Sequence, residues 1–193
     1  MSRRRWARRG VVVLLAVLVT FTGWLHNQRS THPPAQPRAA TGAVGEDVTA
    51  YPLVVHVTGA RAARLLTYEE FDGPMELDSG GAWVGVTLSY AGIDTPVLPS
   101  GFELRDAQGR TFSESDRVDV MTRTAQPDEF FRTEIVFEVP TGALDGDLLL
   151  RALPSGEVDI PMWIAEIPLG RVEVDDAAPL EPVEGEFLPV GER

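Results

Sequence analysis

From Tyr51 to Val174 the apolar residues return at every second position, and no stretch holds a helical period for twelve residues. Side chains that alternate between two faces belong to strands, and strands are satisfied only by pairing with one another. The clearest case is EFFRTEIVFEVP, Glu129 to Pro140. Phe131, Thr133, Ile135, Phe137 and Val139 share one side, and Arg132, Glu134 and Glu138 share the other. In AWVGVTLSYAG, Val84, Val86, Leu88 and Tyr90 fall opposite Trp83, Gly85, Thr87 and Ser89. GFELRDAQGRTF is a hairpin pattern, with Gly109 free to take the positive φ of its turn. LLLRAL, VDIPMWIAEIPLGRVEV and YPLVVHVTGARAARLLTY supply the remaining strands, with Val158, Ile160, Met162 and Ile164 in phase. Seven or eight short strands separated by Gly, Pro and Asp turns predict an all-β fold, a two-sheet sandwich over residues 48–174. A small closed barrel is the alternative.

The opposite end of the chain carries a different signal. MSRRRWARRG precedes an unbroken apolar run from Gly10 to Leu25. As a helix this run would span about 24 Å, slightly less than the roughly 30 Å of a hydrocarbon core. Trp6 and Trp24 bracket it, and arginine side chains can snorkel to lengthen it. No small-x-small cleavage site follows, so an uncleaved signal anchor fits better than a removed signal peptide. The arginine run reads as topogenic charge in preference to a twin-arginine export signal. The positive-inside rule then keeps residues 1–9 in the cytoplasm, inserts residues 10–25 in the membrane and places the rest outside. Residues 26–47, rich in Pro, Ala, Thr and Gly, read as a stalk; residues 175–193, acidic and proline-rich, read as a largely disordered tail in which Phe187 and Leu188 are the only docking candidates.

Charge is segregated. Seven arginines and no acids precede Glu46, whereas ten arginines face all 29 acids from Glu46 onward, a balance of −19. Such a body repels phosphate backbones, which argues against nucleic acid as a partner. With no cysteine in the chain, disulfides, thiolate metal sites and a cysteine nucleophile are excluded.

Taken in order, WVGVTLSYAG, FELRDAQGRTF and FRTEIVFEVP resemble the successive core strands and hairpin of the telokin-like, immunoglobulin-type domains of unknown function found on bacterial lipoproteins and membrane-anchored proteins. The resemblance runs from about Ala60 to Val174. It implies an extracytoplasmic immunoglobulin-like β-sandwich with no known catalytic residues, here carried by an apolar helix in place of a lipid-bearing cysteine.

Candidates for chemistry are few. His26 and His32 fall in the stalk, and His56 sits among apolar neighbours as a structural residue; a catalytic triad through it would need a serine and a carboxylate brought together by the fold. Glu114, Asp116, Asp119, Asp145 and Asp147 fit solvated turns better than calcium ligands, and Glu69, Glu70 and Asp72 have no spacing that defines a glycosidase pair. No catalytic residue, metal ligand or cofactor is therefore expected. Trp83 and Trp163 are candidate partner-binding residues if exposed, and otherwise belong to a second buried face. The expected function is a non-enzymatic, membrane-tethered module that binds another envelope or membrane protein. The alternatives are a carbohydrate-binding or carbohydrate-active envelope protein and a calcium-responsive adhesion domain.

Overall fold

Pairing follows the alternation. The computed structural model describes residues 37–70, 73–155 and 163–193. Among them are eleven strands: β1 (Arg38–Thr41), β2 (Asp47–Ala50), β3 (Leu53–Glu70), β4 (Gly73–Gly92), β5 (Pro99–Arg105), β6 (Thr111–Ser113), β7 (Phe131–Val139), β8 (Leu148–Pro154), β9 (Trp163–Gly170), β10 (Val174–Asp175) and β11 (Glu186–Phe187). One sheet has the order β1-β9-β8-β5-β6. The other runs β10-β3-β4-β7-β11, with β2 added to β3. The fold is a β-sandwich, not a closed barrel. The apolar run at residues 10–25 and Val158, Ile160 and Met162 lie outside the described residues.

The residues in phase become the wall between the sheets. Val84, Val86, Leu88, Ile135, Phe137 and Val139 of one sheet pack with Phe102, Leu104, Leu150, Ala165 and Ile167 of the other. Antiparallel β4 and β7 hold this wall in register through nine pairs, Ala82 opposite Val139 to Tyr90 opposite Phe131. The β5–β6 hairpin closes as expected, with Gly109 at φ 81°. Asp106 fixes its turn: the buried carboxylate accepts the N–H groups of Gln108 (2.9 Å) and Arg110 (2.8 Å) and the Arg110 guanidinium. Burial pushes the pKa of Asp106 up, but these donors prevail and hold it below the ordinary carboxylate value.

Eleven strands exceed the seven or eight expected because several are too short to carry a period. The stalk assigned to residues 26–47 is corrected over its described part by β1, which pairs in parallel with β9 from Arg38 opposite Trp163 to Thr41 opposite Glu166; residues 26–36 lie outside the described residues. Main-chain pairing along a sheet edge needs no apolar series, and one small residue, Ala40, packs on the core. The tail is corrected as well. Leu180 and Leu188 are buried, and Glu186–Phe187 adds antiparallel to Arg132 and Phe131 of β7.

Tyr90 ties the long loop between β6 and β7 to the core. Its hydroxyl donates to Arg123 O (2.8 Å) and accepts from Arg123 N–H (2.9 Å). Burial raises its pKa to about 12. An acid whose folded pKa lies above its unfolded value stabilises the fold fully below the unfolded pKa, about 10, and loses that contribution as pH rises through the folded one. The urea midpoint of the wild type should therefore fall between pH 9 and pH 12 by the equivalent of about 2–3 kcal/mol more than that of Tyr90→Phe. Parallel pH profiles for the two proteins would refute the assignment.

Candidate binding cleft

The alternation puts Arg132, Glu134 and Glu138 on the side away from the core, yet Glu134 has 0 % of its side chain exposed. A glycine on the neighbouring strand explains why. Arg61 of β3 lies opposite Gly85 of β4. A Cβ at Gly85 would stand 2.3 Å from Glu134 Oε1 and 3.0 Å from Leu180 Cδ1. The missing side chain leaves a hollow on the central strand, and across it Arg61 Nε donates to Glu134 Oε1 (2.9 Å) and Nη2 to Oε2 (2.7 Å). The hydrogen bond to Glu134 raises the pKa of Arg61 further.

Over this pair passes the C-terminal segment. Val183 N–H donates to Glu134 Oε2 (3.0 Å), and Arg61 Nη2 also donates to Glu181 O. Leu180 exchanges main-chain bonds with Leu65 (2.8 Å) and Thr67 (2.9 Å), and Leu188 N–H donates to Phe130 O (2.8 Å). Residues 176–188 thus strap the outer face of the six-stranded sheet from the β3 edge to the β7 edge. Beneath the strap lies a second apolar cluster of Ala63, Leu66, Trp83, Val118, Val136 and Leu180.

Between this strap, the 118–121 loop and residues 67–69 of β3 opens a cleft of about 610 Å³. Tyr68, Val118, Val120, Met121 and Val183 give it apolar walls; Glu69, Asp119, Glu181 and Glu184 add carboxylates, with the paired Glu134 at their side. No arginine lines it. Met121 and Val183 are among the exposed large hydrophobic residues of the described chain. The arrangement can hold an elongated group bearing both positive charge and apolar surface.

Neither tryptophan is in this cleft. Trp83 is completely buried, its Nε1–H donating to Leu77 O (3.0 Å) and its ring lying 5.0 Å beneath the Arg117 guanidinium. It is therefore not an exposed docking ring, and it offers no face on which a sugar could stack. Trp163 is half-buried against the main core with Arg38 over its ring at 5.7 Å. The burial of Trp83 is explained by packing. An arginine over an indole face is a favourable contact in each case.

His56 joins a row that crosses five strands. Asp47, His56, Ser89, Arg132 and Glu186 are successive cross-strand neighbours. His56 Nδ1 is 2.9 Å from Asp47 Oδ1, and Arg132 pairs with Glu186. Burial raises the pKa of Asp47, and its hydrogen bonds with Arg193 and His56 lower it by more, leaving it below the ordinary value. Ser89 stands where a nucleophile would, but its hydroxyl is buried and makes no hydrogen bond to His56. The row is a structural ladder with no activated hydroxyl. Glu114 turns inward to accept Phe102 N–H (2.6 Å), and burial raises its pKa. Among the described residues no three His, Asp or Glu side chains converge as a metal site, and no helix is long and apolar enough to cross a membrane.

The described residues thus define a β-sandwich protein with an acidic, apolar-walled surface cleft. No family model matches the chain, and no curated protein matches it. Among solved structures it is similar to an uncharacterized β-sandwich protein from Clostridium difficile 630, at 9% identity and a TM-score of 0.42, over 68% of this chain and 95% of that one.

Proposed function

We propose that this chain is a non-enzymatic, membrane-tethered interaction module. Residues 10–25 anchor it, and its sandwich, of the telokin-like immunoglobulin type, faces outward to dock a basic, apolar-flanked segment of another envelope or membrane protein in the cleft. The observation that carries the reading is the cleft's composition: four carboxylates in addition to the paired Glu134, beside five apolar or aromatic side chains, with no arginine among them. A body of balance −19 adds long-range attraction for a cationic partner. The anchor follows from the arginine-flanked apolar run, and the sandwich type from the motif order described above.

The test uses a fluorescent peptide of alternating lysine and valine as the probe. It should bind the full-length chain in detergent micelles, weaken steeply between low and physiological salt, and bind the Glu181→Lys/Glu184→Lys variant at least tenfold less tightly. Equal binding to both proteins, or none to the wild type, would refute the reading.

A further inference from the structure

We propose that the C-terminal strap is a latch that opens as a unit while the sandwich stays folded, and that the Arg61–Glu134 pair beneath it sets how often it opens. The strap forms one wall of the cleft, Glu181 to Gly185, so opening would dismantle the docking site. This regulatory consequence rests on the docking reading above; the latch itself does not.

The ladders β3–β4 and β4–β7 are complete without the strap, and so is the wall between the sheets. Undocking would break no hydrogen bond of those three strands with one another. The strap is held by short, separated contacts instead: Leu180 at the β3 edge, Glu181 and Val183 at the ion pair, the two-residue pairing of Glu186–Phe187 with β7 and the edge contact of Phe187 on Phe131, Leu188 at Phe130, and the pairs Arg64–Asp176 and Arg132–Glu186. Only Leu180 and Leu188 are buried apolar anchors within it, at 1 % and 6 % exposure. A segment with few buried contacts opens at lower free energy than the core to which it is attached. Pro179 and Pro182, on either side of the crossing point, limit the freedom regained on release, which favours redocking.

The ion pair is placed to control the equilibrium. With the strap down, Glu134 is fully excluded from water and its carboxylate is satisfied by Arg61 and by Val183 N–H. Arg61 reaches past the carboxylate to the Glu181 carbonyl, so a single guanidinium joins β3, β7 and the strap. The charge-assisted bonds that the strap makes to this pair, from Val183 N–H to Glu134 and from Arg61 to the Glu181 carbonyl, contribute more than neutral ones and are lost when the strap leaves.

Amide hydrogen exchange on the full-length chain in detergent micelles tests the latch. Leu180, Val183 and Leu188 amides should exchange together, at least tenfold faster than those of Val84 and Val86 in β4. Glu134→Gln keeps the shape and an acceptor for Val183; it should speed the three strap amides a further tenfold or more and leave β4 unchanged. Arg61→Lys, which keeps the charge and loses the fork, should act in the same direction should the first variant fold poorly. Strap amides that exchange at the β4 rate, or that ignore both substitutions, would overturn the latch. Adding the lysine–valine peptide should slow strap exchange. Fast strap exchange that the peptide leaves unchanged would support the latch and sink the docking reading.

Discussion

Ile135→Asp is expected to abolish the cooperative unfolding transition of the domain. Ile135 is fully buried, opposite Val86 on the inner face of the sheet, and belongs to the cluster that joins both sheets. Losing the isoleucine removes about 2–5 kcal/mol of transfer and cavity energy. An unpaired carboxylate in the same place adds several kcal/mol more. Together these match the entire stability of a typical domain, about 5–15 kcal/mol. Circular dichroism should show no melting transition for the variant, whereas Ile135→Val should melt cooperatively within a few degrees of the wild type. A cooperative melt of the aspartate variant would remove Ile135 from the core.

The second large effect belongs to Gly85→Val. A Cβ there meets a carboxylate oxygen at 2.3 Å, and that carboxylate cannot step aside without leaving Arg61 and Val183. Either the ion pair separates, which leaves Glu134 buried and unpaired, or the strap lifts to admit water. Breaking a buried pair costs about 3–5 kcal/mol; lifting the strap relieves part of that. The variant should therefore fold with stability reduced by about 2–4 kcal/mol and should be cut rapidly by a glutamate-specific protease at Glu184 and Glu186. Wild-type stability and protease resistance in the variant would contradict the role given to the glycine.

The inner wall was legible because strict alternation over Phe131 to Val139 and Val84 to Tyr90 admits one partition of side chains into two faces. The β5–β6 hairpin was legible because Asp106 and Gly109 occupy positions where only such residues suit the turn. The outer face was not. Alternation places Glu134 opposite Ile135 without saying what covers it, and the cover comes from about fifty residues further along the chain. Leu180 and Leu188 stand eight positions apart among prolines, so they form no period, and main-chain pairing at Glu186–Phe187 leaves no mark in composition. A signal was nonetheless present. Trp83, Val136 and Ala63 are apolar residues on the outer side of three adjacent strands, and strands apolar on both faces imply cover on both. Gly85 in the central strand marks a close approach. The cleft was illegible for the same reason: Glu69, Asp119 and Glu184 meet only after the strap and the 118–121 loop are in place.

Closure of the outer face by the strap is tested by comparing the full-length chain with one ending at Asp175. If the strap is part of the fold, its removal takes away two buried leucine anchors, about 1.5–3 kcal/mol each before the entropy of ordering is deducted. The melting temperature should fall by roughly 5–10 °C. The tryptophan emission should shift to the red as water reaches Trp83. An unchanged melting temperature together with unchanged emission would show that the outer face is closed without residues 176–193, and would contradict the account.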